Sequence, residues 1–153
     1  MNYSSIYRLL SIVILVLFWS TETLGQNISI ATGGTVNACG VTFTDDGVGA
    51  AYTDTPYTIT ICPDVPGDVV QISFAAFSLQ TSPGNGNSDL LYVYDGLNNQ
   101  APPLGPYSGS QANLQITATI NNTSGCLTFV FDPNGPANST SSGWEGIIEC
   151  TTP

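Results

Sequence analysis

The sequence predicts an all-β fold, a sandwich of two antiparallel sheets, on three observations. Short runs rich in Val, Ile, Thr and aromatic residues recur along the chain. They are separated by turn clusters at residues 32–34 (Thr-Gly-Gly), 45–47 (Asp-Asp-Gly), 66–68 (Pro-Gly-Asp) and 82–87. Within the runs apolar residues alternate: Val70, Ile72 and Phe74, then Leu114, Ile116, Ala118 and Ile120, then Leu127, Phe129 and Phe131. No window after residue 25 keeps a helical period.

In chain order, residues 1–25 read as a secretory signal peptide. Arg8 gives a positive start, Leu9 through Trp19 is an apolar run broken only by Ser11, and small residues precede Gln26. The run is shorter than the roughly 20 apolar residues of a transmembrane helix, so cleavage is expected after Gly25. Residues 26–35 read as a short lead, 36–150 as one domain, and 151–153 (Thr-Thr-Pro) as the start of a linker. That ending makes the chain the expected first domain of a longer secreted protein.

Cleavage would remove Arg8, the single cation, together with Glu22, one of eleven acidic residues. The remainder carries carboxylates and no Lys, Arg or His, so side-chain ion pairs are impossible within it. Nucleic acid is excluded as a partner, because that affinity comes from Lys and Arg neutralising phosphates. Attraction to an anionic membrane surface fails for the same reason, and no stable membrane insertion is expected once the signal is gone. A protein partner should be basic.

Residues 89–96, Asp-Leu-Leu-Tyr-Val-Tyr-Asp-Gly, read as a strand ending in a tight turn. Leu91 and Val93 are expected to face the core, with Leu90, Tyr92 and Tyr94 outside and the Asp89 carboxylate at the rim. The expected core also includes Phe74, Phe77, Leu79, Ile116, Phe129 and Phe131. Trp144 is expected to pack in the core on a strand returning beside Phe129 and Phe131.

Four cysteines behind a signal peptide read as two disulfides, with three pairings open. The expected pairs are Cys39–Cys62 and Cys126–Cys150. If 127–131 and 145–149 form a hairpin, Cys126 falls opposite Cys150. Each loop would close about 24 residues, worth roughly 3 kcal/mol in the chain-entropy account. A zinc site lacks the usual CxxC spacing.

Catalysis is not expected. Triads and most general bases need His or Lys, which residues 26–153 lack. A carboxylate pair of the glycosidase kind is what survives. Asp89, Asp95, Asp132 and Glu145 are candidates by type, with Asp95 and Glu145 better suited to turn and surface roles.

Several motifs together resemble a CUB domain. They are Cys39-Gly40, the Pro-Gly-Asp turn leading to Phe74-x-x-Phe77-x-Leu79, and Asp89-x-Leu91-x-Val93-Tyr94-Asp95-Gly96. They continue with Leu104-Gly105-Pro106-Tyr107-Ser108-Gly109, Cys126-Leu127-Thr128-Phe129-Val130-Phe131 and Gly143-Trp144. The resemblance implies a jelly-roll-like β-sandwich serving as a non-catalytic extracellular interaction module. In animal members a second disulfide joins two positions that resemble Gly86 and Ser108 here. With Cys126 paired to Cys150 instead, the chain looks closer to CUB-like modules of secreted bacterial multidomain proteins. The sequons at Asn27, Asn121, Asn122 and Asn138 are then polar loop residues.

Many CUB domains hold Ca²⁺ at one end with three carboxylates. By position these resemble Gln80, Asp89 and Asn134 here, with Asp132 a further ligand candidate and Tyr52 a supporting residue. Two of the three have exchanged a carboxylate for an amide, so any Ca²⁺ site is expected to be weak. Tyr92 and Tyr94 are the candidate binding platform. The function expected is extracellular adhesion or recognition of a protein, secreted or at the cell surface. The alternatives are a calcium-assisted carbohydrate-binding module and a structural spacer.

Overall fold

A computed structural model describes residues 26–82, 87–134 and 140–153. The signal peptide, Gly86 and the sequon at Asn138 lie outside the described residues. Among the described residues nine strands form two sheets. They are β1 (Asn27–Ser29), β2 (Gly34–Asn37), β3 (Val41–Thr44), β4 (Tyr57–Cys62), β5 (Val69–Ser78), β6 (Leu90–Tyr94), β7 (Gln115–Thr117), β8 (Leu127–Asp132) and β9 (Gly143–Thr151). The five-stranded sheet runs β1-β3-β9-β5-β7 and the four-stranded sheet runs β2-β4-β8-β6.

Each strand lies in the sheet opposite to the strand before it, which is how the alternating runs of the sequence become two facing layers. All eight residues expected in the core are buried there. Phe43, Ile72, Ile148 and Trp144 come from one sheet; Ile59, Leu91, Val93, Phe129 and Phe131 come from the other. Phe74 and Phe77 are both buried although three residues apart, because β5 shifts register between Phe74 and Ala76. Such a bulge adds a residue and resets the alternation. Ile120 departs from the predicted alternation. It is 78% exposed, in the turn beyond β7, where no facing strand covers it.

The sheets are mixed rather than wholly antiparallel. β1 pairs with β3 and β2 with β4 in parallel. After β1 a single 3₁₀ turn (Ile30–Thr32) carries the chain to the other sheet, and after β2 it crosses back. Each parallel partner is therefore reached by a crossover, as parallel pairing requires. Residues 26–35 thus supply β1 and the start of β2, and Ile28 and Ile30 are buried in the core.

The disulfides join Cys39 to Cys150 and Cys62 to Cys126, not the expected pairs. The hairpin behind the expectation does not form: β8 lies between β4 and β6, while β9 lies between β3 and β5 in the opposite sheet. Trp144 accordingly meets Phe131 across the sandwich, with ring centroids 5.5 Å apart, not beside it in one sheet. Extending the β4–β8 register past Ile61↔Leu127 brings Cys62 to Cys126. Extending the β3–β9 register past Val41↔Ile148 brings Cys39 to Cys150. Each bond staples one sheet, and both lie at the same end of the sandwich. They close 111 and 64 residues, each worth about 4 to 5 kcal/mol if it acted alone.

Candidate functional site

The end opposite the disulfides is assembled by the β3–β4 and β5–β6 loops and the start of β9. Tyr52, on the β3–β4 loop, is buried with its ring edge-on to Phe131, centroids 5.2 Å apart. Its hydroxyl donates to Asp89 Oδ2 at 2.5 Å and accepts the backbone N–H of Gln80 at 2.9 Å. The Asp89 backbone N–H in turn donates to the Gln80 carbonyl at 3.0 Å. Asp89 is wholly buried, 0% exposed, so its carboxylate is not at the rim as the sequence reading placed it. A buried carboxylate needs hydrogen-bond donors, and the Tyr52 hydroxyl supplies one from a loop 37 residues away.

Tyr52, Gln80 and Asp89 therefore meet. Asp132 and Asn134 share this end, since β6 and β8 pair Leu90 with Asp132. Asp132 lies half-buried on the outer face and Asn134 is exposed. Among the described residues no group of three or more His, Cys, Asp or Glu converges in a way that could hold a metal ion. One Asp89 oxygen already receives the tyrosine hydroxyl, and the positions of two further carboxylates hold amides. Affinity for Ca²⁺ follows the count of charged ligands, and of Gln80, Asp89 and Asn134 only Asp89 is a carboxylate.

Asp45 is a residue that sequence reasoning left in a turn. It closes β3 at the same end and is 1% exposed. Its Oδ1 accepts Gly47 N–H at 2.6 Å and its Oδ2 accepts Trp144 N–H at 2.7 Å, tying β3 to the first residues of β9. Gly143, with φ of 72°, is what lets the chain pass: a Cβ there would lie 1.9 Å from Asp45 Oδ2. Burial pushes the Asp45 carboxyl above its ordinary pKa, and the N–H groups of Trp144 and Gly47 pull it part of the way back. The signal was present in part, because Asp followed two residues later by Gly is an Asx-turn pattern. Its partner at Trp144, 99 residues away, was not readable.

The outer face of the four-stranded sheet carries the second candidate. Tyr92 and Tyr94 are half-buried on that face, as the alternation predicts, with near-parallel rings (19°) and centroids 6.5 Å apart. Residues 96–99, following β6, fold over the same face and leave a groove of about 360 Å³. It is lined by Thr35, Thr58, Thr60, Leu97, Asn98 and Asn99, among others.

The remaining carboxylates named by type do not share a cleft. Asp95, at the disulfide end, is buried. It accepts Thr119 N–H at 3.0 Å, the Thr119 hydroxyl at 2.5 Å and Asn122 Nδ2 at 2.8 Å. Asp132 and Glu145 lie on the outer faces of different sheets.

The family model for the CUB domain matches residues 51–145. Solved structures with a similar fold include the full extracellular region of zebrafish Gpr126/Adgrg6. That likeness has a TM-score of 0.58 and 19% identity, covering 79% of this chain and 15% of that one. The CUB1-EGF-CUB2 domains of rat MASP-1 are similar at a TM-score of 0.59 and 15% identity, covering 82% of this chain and 43% of that one. The MASP-1 CUB2 domain bound to Ca²⁺ is similar at a TM-score of 0.59 and 17% identity, covering 76% and 97%. The chain thus spans less than half of the first two. A comparison with curated proteins finds no match.

Proposed function

The chain belongs to the CUB domain family, and from that premise we propose that it is a non-catalytic extracellular recognition module. The observation that carries this reading is uncompensated charge: residues 26–153 hold acidic side chains and no Lys, Arg or His. Such a surface favours a basic protein partner, with an encounter that salt weakens. Both disulfides support an oxidising, extracellular setting. The full extracellular region of Gpr126/Adgrg6 and the CUB-EGF-CUB array of MASP-1 support a place as one module of a longer secreted or surface protein. Kinship with bacterial CUB-like modules, argued from a Cys126–Cys150 pair, loses that support and rests on the departures at Gly86 and Ser108.

The test is capture of basic against acidic extracellular proteins on the immobilised chain at two ionic strengths. Selective retention of basic proteins, lost at high salt, supports the reading. Retention blind to charge and salt overturns it.

Calcium enters the proposal as a weak ligand of the Gln80, Asp89 and Asn134 end, with Asp132 nearby and Tyr52 positioning Asp89. The Ca²⁺-bound MASP-1 CUB2 domain supports it by likeness of fold. A dissociation constant no tighter than about 10⁻⁴ M is expected. Calorimetric titration should show weak binding that Asp89→Ala abolishes. Absence of heat at millimolar Ca²⁺ would leave the end metal-free.

A further inference from the structure

The outer face of the four-stranded sheet differs in charge from the rest of the surface. Across it the register aligns Tyr92 on β6, Val130 on β8 and Thr58 on β4 in one row. The next row aligns Tyr94, Thr128, Thr60 and, on β2, Thr35. Neither row contains a charged residue, whereas the charged side chains of the described residues are all negative. The nearest acid in register is Asp132, at the margin opposite Leu90.

Loop 96–99 closes part of this face. Thr128 donates its hydroxyl to the Gly96 carbonyl at 2.8 Å, and Thr60 donates to the Leu97 carbonyl at 3.4 Å. The middle of the second row, Thr60 and Thr128, is therefore roofed, while Thr35 and Tyr94 at its ends and the first row, from Thr58 through Val130 to Tyr92, stay open. Where the floor meets the loop lies the groove of about 360 Å³. Leu97, 58% exposed, forms an apolar part of its wall. Asn98 and Asn99 each use the side-chain oxygen on Gln100, at 2.9 and 3.3 Å. Their amide nitrogens, and the hydroxyls of Thr35 and Thr58, have no hydrogen-bond partner among the described residues. From β2 to β6 the face spans three strand spacings, about 14 Å.

We propose that this face binds a neutral oligosaccharide. Thr35, Thr58, Asn98 and Asn99 would meet sugar hydroxyls in the groove, and the apolar ring faces would lie on Val130 and the tyrosine pair. The assignment rests on reading the chain as a recognition module. Charge selects the ligand class. An anionic glycan is repelled because every charged side chain of residues 26–153 is negative, and a cationic peptide finds no carboxylate in the groove. Hydroxyl and amide groups beside an aromatic patch are the few placed polar groups and apolar lining of a small-ligand site. The face is built at the disulfide end of β6, away from Asp89, so binding is independent of calcium.

The test is an array of linear neutral oligosaccharides of glucose, mannose, xylose and N-acetylglucosamine, with sialylated glycans beside them. Wild type is compared with Tyr92→Ala, Asn98→Ala and, as a control on the opposite sheet, Glu149→Gln, each shown to be folded by its melting curve. Neutral glycans are expected to bind, unchanged by salt or chelator. Tyr92→Ala and Asn98→Ala should each weaken binding by about tenfold, and Glu149→Gln should leave it unchanged. Retention of no neutral glycan overturns the proposal, as does binding that needs calcium or survives both substitutions. If basic proteins are still captured, only the glycan assignment falls. If nothing is captured, the recognition reading falls with it.

Discussion

One end of the sandwich is held by covalent bonds and the other by buried oxygens. At the first, Cys39–Cys150 and Cys62–Cys126 each close one sheet. At the second, Asp45 bridges Gly47 and Trp144, and Tyr52 links Asp89 to Gln80. The disulfides act largely on the unfolded chain by restricting it, and they ignore pH. The oxygen end acts only in the folded state, through donors that must stay aligned, and protons can change it. Local opening draws on the less stable regions of a fold, so it is expected first at the end that is not covalently locked.

The comparison can be broken at four points, in falling order of effect. Replacing Cys62 and Cys126 together by Ala should cost about 3 to 5 kcal/mol in urea unfolding. A cost under about 1 kcal/mol would mean that the β4–β8 ladder holds that end without its staple. Next, Gly143→Ala places a methyl against the Asp45 carboxylate and demands a left-handed backbone from Ala. It should cost about 3 kcal/mol, and near-wild-type stability would show that the oxygen end is soft.

Tyr52→Phe removes the hydroxyl between Asp89 and Gln80 while keeping the ring on Phe131. A loss of about 1 to 3 kcal/mol is expected, with the core intact by near-UV circular dichroism. An unchanged melting curve would deny the clamp any part in stability.

The smallest effect is that of pH on Asp45. Its folded carboxyl titrates above the ordinary value because of burial. Between about pH 3.9 and that raised value the folded chain therefore binds more protons than the unfolded one. Its contribution to stability is greatest below this window and falls as pH rises through it. Asp45→Asn should flatten that part of the stability–pH profile, and an unaltered slope would show that Asp45 titrates as it does when unfolded. The disulfides themselves carry no titrating group.

Much of the core was legible because alternation is a property of the single strand: side chains two apart share a face whatever strand lies alongside. Leu91, Val93, Phe129 and Phe131 were readable on that ground, and so were Tyr92 and Tyr94 on the outside. The bulge in β5 was half visible, in that Phe74-x-x-Phe77 breaks the period without saying where the extra residue goes. Ile120 misled, since alternation carried past the last paired residue looks the same as alternation within a strand.

By itself the sequence determined the class of fold, the inward residues of each strand, the sign of the charge and the absence of His and Lys beyond residue 25. Tertiary structure decided which strands are neighbours, and with that everything that depends on neighbours. It put β8 and β9 in opposite sheets and so exchanged the disulfide partners. It took Asp89 inside to meet Tyr52, and it made a turn aspartate, Asp45, the clamp on Trp144. The physical reason is range: alternation, turns and composition are set by residues a few positions apart, whereas the cysteines' partners, the Tyr52 donor of Asp89 and the Trp144 donor of Asp45 lie 37 to 111 residues away and are chosen by how the sheets assemble.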